Sequence, residues 1–183
     1  MKPSSFQRTA LALATLLAAG GAWATTLTKA EFQAGKQRIE HSYTAEKQAC
    51  DQSSGDARSL CLERASGKQK VARAQLAYDR SGKASDRHDL AVTTADADYA
   101  VAKEACNGQA GQAKDVCMAE AKATHTKALA DATLARKVGT ARRDSAADKR
   151  DADYKLADEK CESLAGDAKT ACTDAAKAKF GKT

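Results

Sequence analysis

The chain has 183 residues, with 30 Lys and Arg against 24 Asp and Glu, six Cys, three His and one Pro. That length allows one domain or a few small repeated units. An aromatic content of 4% leaves little from which to line a deep apolar pocket.

Residues 1–24 have the layout of a secretory signal peptide. Lys2 and Arg8 give a basic start, 11–21 is an apolar run, and Ala22, Trp23 and Ala24 form a small-x-small site, so cleavage is expected after Ala24. The run is short for a bilayer span and ends on Gly20 and Gly21, and no later segment is apolar enough to cross a membrane. Without the leader, 25–183 contains neither Pro nor Trp, and it has 36 Ala but only 17 Leu, Ile, Val and Phe. So low a share of large apolar residues borders on disorder. Against that, Ala, Lys, Glu, Gln and Arg are strong helix formers and the net charge falls to +4. Long helices around a thin, Ala-rich core are expected.

The cysteines reveal a repeat. Cys50 and Cys61, Cys106 and Cys117, and Cys161 and Cys172 are three C-x10-C pairs, spaced 56 and 55 residues apart. Tyr43, Tyr99 and Tyr154 precede each first Cys by seven, and Gly55, Gly111 and Gly166 follow it by five. Ala57, Ala113 and Ala168, then Arg58, Lys114 and Lys169, come next, and Ala65, Ala121 and Ala176 follow each second Cys by four. Tyr and Cys seven apart share a helix face, which puts the tyrosines on the hairpin seams. The Gly suits a left-handed C′ position, and Asp56 and Asp167 suit the start of the next helix. Each repeat reads as two antiparallel helices joined at the Gly, with both sulfurs at nearly the same height.

In chain order the spacing predicts helices over 28–54, 56–80, 85–110, 112–138, 140–165 and 167–180. A second kind of turn falls at Ser81, Gly82 and Lys83, with Ser85 as the N-cap before Asp86. At Gly139, Thr140 could cap a new helix, or one long helix could run through at a cost of about 1 kcal/mol. The organisation expected is a leader over 1–24, hairpins over 25–82 and 83–139, and a truncated hairpin over 140–183. The fold class is all-α: three disulfide-stapled antiparallel hairpins in tandem, as an extended array or a loose bundle.

The segments 99–106 and 151–161, each running through a Tyr to a Cys, and the ending Ala178, Lys179, Phe180, Gly181 resemble those of exported beta-proteobacterial proteins. Those proteins carry paired-Cys, Ala/Lys-rich helical repeats, and some are labelled TolA-like or envelope-biogenesis proteins. The resemblance covers 25–183 and implies an envelope compartment without implying an activity.

Candidate chemistry begins with the cysteines. In an oxidising compartment an even number of Cys pairs up, and no C-x2-C is present for zinc, thioredoxin or haem chemistry. Six Cys permit 15 connectivities; the repeat favours Cys50–Cys61, Cys106–Cys117 and Cys161–Cys172. Each short loop closed in this way contributes about 3 kcal/mol in the chain-entropy model. His41, His88 and His125 fall at different places in the repeat, form no metal-binding pair and read as surface residues. Gly181, Lys182 and Thr183 imitate the end of a phosphate-binding loop, but Ala176 stands where its first Gly belongs. Asp96 and Asp98, repeated as Asp151 and Asp153, point to different helix faces. Arg142, Arg143, Lys149 and Arg150 alternate with Asp144, Asp148 and Asp151, the pattern of a solvated face. That arrangement permits weak attraction to an anionic surface but not specific nucleic-acid binding, and the Ala-rich seams would also suit self-association. The expectation is an exported, non-enzymatic, structural or interaction protein of the Gram-negative periplasm, without cofactor, acting on an unidentified protein or envelope partner as spacer, adaptor or holdase. The competing expectation is a thiol-based metal buffer or redox protein.

Overall fold

The computed structural model describes residues 27–182; the leader expected over 1–24 lies outside them. Five helices follow in order: α1 (Lys29–Cys50), α2 (Gly55–Ser81), α3 (Ala84–Cys106), α4 (Gly111–Cys161) and α5 (Gly166–Phe180). Among the described residues there is no strand.

A capping box opens α1. Thr28 Oγ1 accepts from the Glu31 backbone N–H at 3.2 Å, while the Thr28 N–H donates to Glu31 Oε2 at 2.8 Å. The helices that lead into the cysteine turns all end at the first Cys of their pair, four residues sooner than the expected boundaries. After Cys50 the backbone tightens, with the Asp51 N–H donating to Gln48 and the Ser53 N–H to Cys50. Gly55, Gly111 and Gly166 do take the left-handed conformation, with φ of 55°, 55° and 56°. They open the second helix of each hairpin, however, instead of closing the first: a four-residue link separates them from the preceding helix, and extended residues (Ser54, Ala110 and Ala165) stand just before them. Asp56 and Asp167 lie in the first turns of α2 and α5 as expected.

The turn between α2 and α3 is made by Gly82, at φ 61°, whose N–H donates to the Tyr78 carbonyl at 2.8 Å. The expected Ser85 cap is displaced. Lys83 holds the N-cap position, and Ser85 lies in the first turn with its hydroxyl on Asp86.

The two helices expected over 112–138 and 140–165 form a single 51-residue helix, about 77 Å long. Good helix formers flank Gly139 on both sides, and residues 140–150 contain no large apolar side chain with which a reversed helix could pack back. Continuing the helix costs less than turning.

Each helix packs only against its neighbours in chain order. The hairpins therefore form an extended array, not a bundle with a shared interior. The core is correspondingly thin: Cys50, Cys106 and Cys161 are the most completely buried side chains, supported by Ala65, Ala95, Ala97, Ala121, Ala132 and Ala176. Leu76 is the one large aliphatic residue among the buried ones of the described residues, and it covers Gly35 so closely that a Cβ there would stand 2.6 Å from Leu76 Cδ1. Where α2 meets α3, a Cβ on Gly67 would lie 3.3 Å from Ala97 Cβ. Small residues thus bring these helices close together.

Candidate functional site

The residues that recur in every hairpin converge on one arrangement. The disulfides are Cys50–Cys61, Cys106–Cys117 and Cys161–Cys172, with Cα–Cα separations of 5.5, 5.8 and 5.6 Å. In each, the last residue of one helix is joined to the seventh residue of the next. Ala65, Ala121 and Ala176 are buried one turn beyond the second Cys, where a larger side chain would push the helices apart.

Two turns from each disulfide lies the Tyr, and its neighbours explain its place in the repeat. Tyr99 stacks on His125, with ring centroids 4.6 Å apart and planes 10° from parallel. Tyr154 meets Phe180 edge-on at 6.2 Å. His125 and Phe180 each follow the second Cys of their repeat by eight residues, and Gln69 occupies the same position in the first repeat. Tyr43 and Gln69 both line the groove between α1 and α2. Each Tyr also carries a cation over its ring: Lys47 at 5.5 Å, Lys103 at 5.4 Å and Lys182 at 5.7 Å.

An acid three residues before each Tyr completes the clasp. Glu40 accepts from Gln69 Nε2 at 3.0 Å and pairs with Arg73. Asp96 accepts from His125 Nε2 at 2.6 Å. Asp151 accepts from Lys182 Nζ at 2.7 Å, and this cation holds the Asp151 carboxyl below the usual carboxylate range. The donors differ because Phe180 cannot donate, so Lys182, two residues further on, takes over. A second recurring pair spans the turn in the outer hairpins: Arg58 to Asp51 at 2.9 Å and Lys169 to Glu162 at 2.8 Å. In the middle hairpin Asn107 replaces the acid and bonds Glu104 instead.

His125 is therefore not the surface residue expected from its position. Its side chain is 19% exposed, held between Tyr99 and Asp96. His88 is half-buried, with Nδ1 3.3 Å from the Ala132 carbonyl across the α3–α4 seam. Only His41 is fully at the surface. The aligned acids and their donors escaped the sequence because neither position keeps one residue type. The signal that could have found them is the fixed offset, ten before the first Cys and eight after the second.

The chain matches no family model, no curated protein and no solved structure.

Beside the clasps lie open grooves. The one between α1 and α2, about 470 Å³, is lined by Gly35, Ile39, Tyr43, Ala65, Ala72 and Leu76 with Lys68, Gln69 and Glu46 at its rim. Across α2, about 520 Å³ of open space borders Gly67, Val71, Ala97 and Val101. Among the described residues no three His, Cys, Asp or Glu side chains gather as a metal site, and all six cysteines are in disulfides. No described helix is long and apolar enough to cross a membrane. Three disulfides in one small chain fit an oxidising, extracytoplasmic environment.

Proposed function

We propose that this chain is an exported, non-enzymatic helical repeat protein of the Gram-negative cell envelope, released into the periplasm by cleavage after Ala24. It works through its helix faces as a spacer or adaptor. The observation that carries this reading is the pairing of three disulfide-stapled hairpins with one uninterrupted 51-residue helix. The staples keep a core of Ala and Cys from opening, and the long helix separates the third hairpin from the first two. The resemblance of its Tyr-to-Cys segments to exported beta-proteobacterial repeat proteins, some labelled TolA-like, implies the same compartment. The grooves offer Ala, Lys and Gln surfaces, which suit contact with a partner better than chemistry on a substrate. A holdase variant of the same role would use these grooves for unfolded clients.

The test is expression of the full chain with a C-terminal tag in a Gram-negative host, followed by osmotic shock and intact-mass measurement. The expected outcome is release in the shock fluid of a species beginning at Thr25. Retention in the cytoplasm with Met1 intact would overturn the reading. Suppression of aggregation of a denatured client by the purified protein would assign the holdase variant, and its absence the spacer or adaptor.

A further inference from the structure

The long helix α4 leaves one face bare along its whole length. Its large exposed apolar residues are Val116 (46% exposed), Leu134 (59%), Val138 (40%) and Leu156 (57%). At 3.6 residues per turn, Val116 and Leu134, eighteen apart, share one azimuth; Val138 and Leu156, also eighteen apart, share another about 40° away. The four form a single stripe. The packed faces point elsewhere: Ala121, His125 and Ala132 turn towards α3, and Tyr154 and Cys161 towards α5, all about 100° or more from Val116 and Leu134.

The repeat identifies what this face is. In α2 the corresponding azimuth carries Gly67 and Val71, the surface on which α3 packs through Ala97 and Val101. Counted from the cysteines, Gly67 corresponds to Ala123, Val71 to Lys127, Ala97 to Ala152 and Val101 to Leu156. In the first two hairpins the chain turns at Gly82 and these two surfaces cover each other. In α4 the chain runs straight through Gly139, so both surfaces lie on one rod and neither is covered.

The stripe is also symmetric. Val116 and Leu156 lie twenty residues on either side of Arg136, and Leu134 and Val138 two residues on either side of it. The α2–α3 seam, carried over as Ala123 with Ala152, centres between Lys137 and Val138. Asp131 and Arg142, on one flank of the stripe, centre between Arg136 and Lys137. All these midpoints agree to within two residues, about 3 Å along the helix. A two-fold axis perpendicular to the helix and passing beside it there sets Val116 on Leu156, Leu134 on Val138 and Ala123 on Ala152 of the other copy, and Asp131 beside Arg142.

We propose that a second copy of this chain covers the stripe, its α4 antiparallel to the first, in an isologous dimer centred near Arg136 and Lys137. Each α4 supplies to its partner the surface that α3 supplies to α2 within the chain. This inference concerns the molecule alone and stands whether or not the envelope reading holds.

The test is sedimentation of the oxidised, purified protein. The expected result is a dimer, converted to monomer by Leu134→Glu with Leu156→Glu. Both positions are exposed, so helix content by circular dichroism should be unchanged. Asp131→Arg and Arg142→Asp each place like charges across the axis and should each weaken the dimer. Mixed together, the two single variants should form a heterodimer in which every 131–142 contact is opposite in charge. A wild-type monomer at about 100 μM, where even weak specific pairs assemble, would overturn the proposal. So would a dimer indifferent to Leu134→Glu with Leu156→Glu, or charge variants that fail to prefer each other.

Discussion

Asp151 shows most clearly how a single side chain reports on the packing of a hairpin. Its partner Lys182 lies 31 residues away in sequence and reaches it only when α5 lies along the end of α4. Hydrogen bonding and the positive charge of Lys182 favour the ionised carboxylate, so the folded-state pKa lies below the unfolded one. The sign follows by linkage: the contact supports folding above the ordinary carboxylate pKa, and that support is lost as pH falls through the depressed value. In a carbon-detected NMR titration, the Asp151 midpoint is expected to lie below the ordinary aspartate value and to rise in Lys182→Met. An unchanged midpoint in that variant would detach α5 from this contact. The clasp residues share this logic but differ in chemistry. His125 donates to Asp96 and stacks on Tyr99, whereas Phe180 can only stack and leaves the donation to Lys182. The cysteines, tyrosines and glycines were legible in the sequence because identity repeats along with position. The acids and their donors were not, because Glu40, Asp96 and Asp151, and still more Gln69, His125 and Phe180, repeat position and function without repeating identity.

Among the elements, the glycines divide by backbone conformation in a way that composition alone does not reveal. Gly55 sits at φ 55° with open space around it, so Gly55→Ala meets no clash but must adopt a left-handed backbone, at about 1–2 kcal/mol. Gly139 lies inside α4 in helical conformation, and a Cβ there would meet only Arg143 Nη1 at 3.9 Å. Gly139→Ala should therefore stabilise the chain by about 1 kcal/mol through helix propensity. Thermal or urea unfolding of the two variants is expected to show shifts of opposite sign; a destabilised Gly139→Ala would mean that the helix turns or bends there after all. The sequence could not decide this point. A helical glycine and a capped break differ by about the same 1 kcal/mol, and the balance is tipped by what a reversed helix would find to pack on. The stretch after Gly139 supplies no Leu, Ile, Val or Phe until Leu156, whereas the stretch after Gly82 supplies Leu90, Val92 and Val101, of which Val101 borders the α2–α3 seam. The turn glycines teach a related lesson. Their left-handed backbone was readable from spacing, but which helix they belong to depended on the four-residue link that follows each first Cys.

At the scale of the whole molecule, stability comes from many modest and separate seams. No helix touches more than its two chain neighbours, and the buried side chains are mostly Ala and half-cystine. A protein built in this way cannot depend on one large core, and the three disulfides restrict the unfolded chain in place of that core. The array also leaves open surfaces on the outside, in the grooves of the first hairpins and along the bare stripe of α4. Within this account the stapled array carries the envelope role proposed for the chain, and the dimer doubles it about a two-fold axis.

The fold depends on the cysteines being staples, and one measurement tests that most directly: thiol trapping and disulfide-mapped mass spectrometry on protein taken from the periplasmic fraction without reductant. The expected result is no trapped thiol and three cross-linked peptides, joining Cys50 to Cys61, Cys106 to Cys117 and Cys161 to Cys172. Free thiols, a bound metal or bonds between repeats would contradict it and make the cysteines the active chemistry of the protein.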